Sequence, residues 1–136
     1  MSVTLAKTGA QLDAIGEIVS ATSALSEIAN ATWTTLAQIT LTKGVWVITA
    51  QMRIGTDGED FKCQMSISSV AGDYTVGDTG WAVFDTITGL AQVACTTSRI
   101  VAVNDSATFY LTGWQRSGAT KAVNATGNVI KAVRIK

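Results

Sequence analysis

From about Trp33 onward, apolar and polar residues alternate with a period of two. That is the pattern of strands with one face buried. Trp33 to Leu41 opens the series, and Lys43-Gly44 reads as a turn. Trp46, Ile48, Ala50, Met52 and Ile54 then alternate with Val47, Thr49, Gln51 and Arg53, giving one long strand with a dry face and a mixed face. Gly55 to Asp60 reads as a polar loop, followed by a strand from Phe61 to Val70 and a turn-rich stretch in which Gly72-Asp73 and Gly77-Asp78 flank Tyr74. Gly80–Ile87 and Gly89–Thr96 are expected to pair across Thr88-Gly89. Arg99–Val103, a turn at Asn104-Asp105-Ser106, Ala107–Trp114, a Gly/Ser/Thr/Asn/Ala loop from Arg116 to Gly127, and Val129–Ile135 complete the chain. About eight short strands without intervening helices predict an all-β protein: an antiparallel two-sheet sandwich of the jelly-roll type.

The first thirty residues have a different period. Thr8-Gly9-Ala10-Gln11 fits the reciprocal capping pattern of a helix start. Leu12, Ile15 and Val19 then follow at helical spacing, with Ile18 alongside. The seam fades at Thr22, Ser26 and Ala29, and Gly16 weakens it. So short a helix is marginal in water and needs neighbours. The expected organisation is an N-terminal helical stalk or trimerisation segment over residues 1–30 and a jelly-roll head over 31–136. Leu12, Ile15 and Val19 are the candidate helical contacts between subunits.

Composition narrows the partners. Ten basic residues balance ten acidic ones, so no overall field draws the chain to nucleic acid or an anionic membrane. Charged residues are only 15% of the chain, against about 25% in an average soluble domain. A small β-domain with so few charges is expected to cover apolar surface with copies of itself. No apolar stretch is long enough to cross a bilayer as a helix, and the N-terminus lacks the signature of a secretory signal, which predicts synthesis and folding in a cytoplasm. The three Asn-x-Ser/Thr triplets, at Asn30, Asn104 and Asn124, are accordingly discounted as glycan acceptors.

Reaction chemistry is sparse. With no histidine, Ser-His-Asp and Cys-His nucleophile sites are excluded. Cys63 and Cys95 each fall on the apolar face of an expected strand and read as small buried hydrophobes; a disulfide between facing sheets is the alternative and needs an oxidising compartment. Asp57, Glu59 and Asp60 cluster in one turn, and Asp73 and Asp78 in another. Solvated loop tips are the plain reading; a Ca²⁺ site is the alternative, without EF-hand spacing, and carboxylate catalysis ranks behind both. The chain is read as non-enzymatic, with no resident cofactor.

The aromatic residues carry more information. Trp33, Trp46, Phe61, Phe84 and Phe109 are expected on inner faces. Tyr110 and Trp114 lie on the face opposite Phe109 and Leu111, as a contact between subunits or a ligand platform, the first being favoured. Asp57, Glu59, Asp60, Tyr74, Arg116, Lys121 and Asn124 stand in loops, where recognition usually resides, and are the candidate ligand or receptor residues.

Three segments carry a family likeness. Lys7-Thr8-Gly9-Ala10-Gln11-Leu12-Asp13-Ala14-Ile15 resembles a segment of bacteriophage fibre proteins that precedes a trimeric β-domain. Ile39-Thr40-Leu41-Thr42-Lys43-Gly44-Val45-Trp46 is similar to their approach into the second strand, and Asn128 to Lys136 is similar to their last strand. The resemblance implies a tail-fibre head domain with a jelly roll like the complement globular head and tumour necrosis factor. It implies a homotrimer in the virion, at the tip of a fibre, needle or head fibre, made in the bacterial host and joined to other tail or fibre proteins. The partner it implies is a glycan or protein receptor on the bacterial surface. A monomeric carbohydrate-binding sandwich and a purely structural virion decoration protein are the alternatives.

Overall fold

The computed structural model describes residues 15–55, 61–72, 81–87, 92–116, 121–122 and 127–136; for 61, 81–87, 92–93 and 121–122 only the backbone is described. The described residues form eight strands and no helix: β1 (Ile18–Thr22), β2 (Glu27–Ile28), β3 (Thr34–Gly55), β4 (Phe61–Ser68), β5 (Trp81–Ile87), β6 (Gln92–Arg116), β7 (Lys121–Ala122) and β8 (Val129–Arg134). Hydrogen bonds join six of them into one antiparallel ladder in the order β1-β8-β3-β6-β4-β5, and β2 pairs with β7.

The ladder folds into two layers because β3 and β6 each serve both. Thr34–Thr42 of β3 pairs with Ser106–Gly113 of β6, and Gly44–Gly55 pairs with Gln92–Val103. Between these runs Lys43 faces both Asn104 and Asp105, a bulge that bends the two strands together. β8 joins β3 only beyond the bend, at Trp46–Gln51, and β4 joins β6 only beyond it, at Tyr110–Arg116. The first layer is therefore β1, β8 and the Gly44–Gly55 and Gln92–Val103 halves. The second is the Thr34–Thr42 and Ser106–Arg116 halves with β4 and β5.

The dry faces of the layers meet. Trp46, Ile48, Met52, Ile54, Cys95, Ile130 and Ala132 of the first layer are buried with Ile39, Leu41, Cys63, Met65, Ile67, Phe109 and Leu111 of the second. The contact is close enough that a Cβ on Gly113 would lie 2.7 Å from Met52 Sδ. Arg99 crosses between the layers: its Nη1 donates to the Ile67 carbonyl at 3.0 Å, and its guanidinium carbon lies 5.3 Å from the Phe109 ring centroid. This is the antiparallel sandwich that the alternation predicts, with Trp46 and Phe109 in its core as expected.

Three expectations are corrected. Ile18–Thr22 is a strand, not part of a helix; it pairs residue for residue with Val133–Val129 of β8, while Leu12 and the rest of 1–14 lie outside the described residues. The open edge of β8 hydrogen-bonds every second residue of this segment and lets Val19 and Ala21 pack against the core, which outweighs a weak helical spacing. Lys43-Gly44 and Asn104-Asp105-Ser106 are not hairpin turns but the two sides of the bend. Trp81–Ile87 pairs with β4, not with the strand that follows it.

Candidate interaction surface

The outer face of the first layer can be read row by row from the strand register. Ile18 pairs with Val133, Val133 with Val47, and Val47 with Ile100, so one apolar row crosses all four strands. Ile18 is 58% exposed and Ile100 67% exposed, the two ends of a row whose middle valines are half-buried. The neighbouring register pair, Val45–Ala102, extends the row, and Ile135, 49% exposed, donates its N–H to the Val45 carbonyl at 2.8 Å. The pleat explains why this face exists: outward residues alternate along each strand with inward ones, as Val47 does between the buried Trp46 and Ile48.

Farther along the same face the chemistry changes. Ser20, Lys131, Thr49 and Ser98 form the next row, and Thr22, Val129, Gln51 and Thr96 the one after. These rows line a shallow groove of about 610 Å³, to which Thr49, Gln51, Thr96, Ser98 and Lys131 contribute polar groups and Ala50 and Val129 apolar surface. Gln51 is held in place there, its Nε2 donating to the Gly127 carbonyl at 3.2 Å. The face thus joins an oily band to a hydroxyl-rich groove carrying one ammonium group.

The second layer presents a different outer face. Tyr110 and Trp114 lie on it, opposite the buried Phe109 and Leu111, but both are half-buried and Thr112 between them is fully buried. The chain leaving β4 contributes to this cover, since the Gly72 N–H donates to Thr35 Oγ1 at 2.7 Å. Ser66, in register with Thr112, is buried as well, and its Oγ has no partner among the described residues.

The other predicted residues fall in several places. Ile15 is exposed in the turn before β1, whereas Val19 is partly buried against the core, so strand pairing turns the two away from a common seam. Arg116 ends β6 in an exposed position, in register with Lys62. Lys121 lies in β7 opposite Ile28. Asp57, Glu59, Asp60, Tyr74 and Asn124 lie outside the described residues, as do the loops considered for Ca²⁺. Among the described residues no three Cys, Asp or Glu side chains gather as metal ligands, and no helix is long and apolar enough to cross a membrane. The row Ile18–Val133–Val47–Ile100 escapes a sequence reading that concentrates on aromatic residues. Its signal is present all the same: valines at 45 and 47, where the mixed face of a strand would otherwise carry polar residues.

One further cluster closes the bend. Arg134 lies with its guanidinium carbon 4.8 Å from the Trp46 ring centroid; its Nη2 meets Glu17 Oε2 at 3.1 Å and donates to Thr42 Oγ1. Trp46 Nε1 donates to the Thr42 carbonyl at 2.9 Å. The Val45 N–H donates to the Lys136 carbonyl at 2.7 Å, so the end of the chain is pinned to the bend.

No protein-family model matches the chain, and no curated protein matches it. Solved structures do. The chain is similar to a protein of infectious bursal disease virus, strain Gt, with a TM-score of 0.58 at 9% identity over 88% of this chain and 33% of that one. It is similar to the chain of the T13 particle of the same virus, with a TM-score of 0.52 at 6% identity over 87% and 31%. It is also similar to murine APRIL, with a TM-score of 0.54 at 9% identity over 86% and 97%. The chain spans about a third of the viral chains and nearly all of APRIL. At such identities the likeness is one of fold: this chain is a jelly-roll β-sandwich of the kind found in viral capsid proteins and in tumour-necrosis-factor-like proteins.

Proposed function

We propose that this chain is a non-enzymatic virion component, a homotrimeric jelly-roll head of a phage tail fibre, needle or head fibre that attaches to a glycan or protein on the bacterial surface. The observation that carries the reading is the row Ile18–Val133–Val47–Ile100, with Ile135 and Val45 beside it, on the outside of the first layer. Fully burying one such side chain is worth ~1.5–3 kcal/mol. A band crossing four strands therefore gives a strong motive for self-association, in a chain of unusually low charge. Likeness of fold to a viral particle protein is consistent with a place in a virion, and the three fibre-like segments agree with it.

Light scattering after size-exclusion chromatography tests the reading. The expected mass is three times 14.2 kDa at micromolar concentration. A particle of 14.2 kDa whose mass is unchanged on concentration would remove the trimer and with it the fibre assignment. Adsorption of the labelled protein to bacterial cells, competed by surface polysaccharide, tests attachment separately. A trimer that decorates virions without binding cells would be a purely structural protein.

The hydroxyl-lined groove favours a second reading, a carbohydrate-binding sandwich that acts as a monomer. Glycan binding retained by a monomeric Ile100→Lys variant would select it.

A further inference from the structure

We infer that Cys63 and Cys95 form a disulfide site, a pair of thiols placed to be joined across the two layers when the protein meets an oxidising thiol–disulfide environment. Cys63 belongs to β4 in the second layer and Cys95 to the first-layer half of β6. Their positions differ by 32 in the sequence, yet their sulfurs lie 3.7 Å apart. That is van der Waals contact, so nothing stands between them. Two cysteines serving only as small hydrophobes have no reason to face each other; alanine or valine would fill the same space without a polar S–H.

The required movement is small. A disulfide holds its sulfurs at about 2.05 Å, so they need to approach by roughly 1.6 Å. Rotation about χ1 supplies part of this and a slight approach of the layers the rest. Both residues also sit near the start of their strands, where pairing opens most readily and a small oxidant gains entry.

The chemistry is thiol–disulfide exchange. One cysteine, as thiolate, attacks a low-molecular-weight disulfide such as glutathione disulfide and releases one glutathione thiol. The other cysteine then attacks the mixed disulfide and releases the second. Two protein S–H bonds and the S–S bond of glutathione disulfide are lost; one protein S–S bond and two glutathione S–H bonds form, so both protons and both electrons end on the two glutathione thiols. Both cysteines are fully buried, and Cys95 is held in its protonated form by its hydrogen bond with Cys63 and then by burial. In a reducing cytoplasm the pair stays as two thiols, and closure is slow because it waits on local opening.

The test uses the whole protein. Purified under reduction, it is incubated with glutathione disulfide at pH 8 in a low, non-denaturing concentration of urea. Excess thiol is alkylated and the protein digested with trypsin. There is no Lys or Arg between Lys62 and Arg99 other than those two, so both cysteines fall in one fragment, Cys63–Arg99. The expected result is that fragment lighter by two hydrogens and unalkylated, with Tm raised by ~10 °C over the reduced protein and restored by dithiothreitol. Cys95→Ala should show neither change. A fragment alkylated at both cysteines, or carrying glutathione on both, would overturn the inference, and so would a rise in Tm that Cys95→Ala shares.

Discussion

The guanidinium of Arg134 lies against the face of Trp46, 4.8 Å from its centroid, and the same guanidinium reaches Glu17 and Thr42. One residue thus ties β8 to the residue preceding β1 and to both sides of the bend in β3. The contact is well sheltered, since the Arg134 side chain is 14% exposed. A desolvated cation over an indole is worth ~2 kcal/mol. Against this stands Arg134 Nε, buried without a partner among the described residues. Arg134→Met should therefore lower stability by a moderate ~1–2 kcal/mol in urea denaturation. Arg134→Lys should recover little, because an ammonium cannot reproduce the flat stack.

Gly44 sits in the bend with φ of +149°, and a Cβ there would lie 2.7 Å from the Lys136 carbonyl oxygen. The obstacle is backbone, which does not move aside as a flexible side chain does. Gly44→Ala should cost ~2–3 kcal/mol and break the bond from the Val45 N–H to Lys136. Amide exchange at Val45 and Ile135 should rise together.

Self-association through the first layer predicts a mass change from a substitution outside the core. Ile100→Lys places a charge at the most exposed end of the apolar row without touching the dry face. The expected outcome is a monomer by light scattering, with strand content retained by circular dichroism. The wild-type Tm should rise with protein concentration, and that of Ile100→Lys should not.

The reduced protein should lose stability in alkali. The Cys95 thiol is raised far above its ordinary value of about 8.5, first by the Cys63 hydrogen bond and then by burial. The folded state holds this proton and the unfolded state releases it above that ordinary value. The contribution is complete below about pH 8.5 and is lost progressively as the pH climbs toward the raised value. The urea midpoint should fall between pH 8 and pH 10, and Cys95→Ala should flatten that part of the profile.

Gln115 is fully buried on the inner side of β6, where its Nε2 donates to the Ile28 carbonyl at 3.1 Å. This bond anchors β2, a strand of two residues. Gln115→Ala leaves a buried carbonyl short of a donor and opens a void. The expected loss is ~2–3 kcal/mol in urea denaturation, with early proteolysis near residues 24–32.

The class of fold was readable from the period of two. Trp46, Ile48, Met52, Cys63, Met65, Cys95, Phe109 and Leu111 all lie on the inner faces that alternation assigns them. The continuity of β3 and β6 was not readable. Lys-Gly and Asn-Asp-Ser carry the composition of hairpin turns, and only their apposition across a ladder makes them a bulge. The strand at Ile18 was hidden for a related reason. Its partner lies at the far end of the chain, in Val129–Val133, and no local spacing reports an edge that distant residues provide. The alternation of Val19 and Ala21, with β-branched neighbours and Gly16 before them, was the available signal. The exposed row was legible residue by residue but not as a row, because register between strands is a tertiary property.

The shared strands have a consequence for how the molecule comes apart. Since β3 and β6 each run through both layers, neither layer owns a complete set of strands. Pulling one open unravels the frame of the other, and no half-molecule survives as a stable remnant. Reassembly carries the converse burden: Thr34 must find Gly113 across more than half of the chain for the second-layer run of the ladder to form. Such distant matching makes for slow acquisition of structure, on a scale of milliseconds to seconds, followed by loss of structure in a single step.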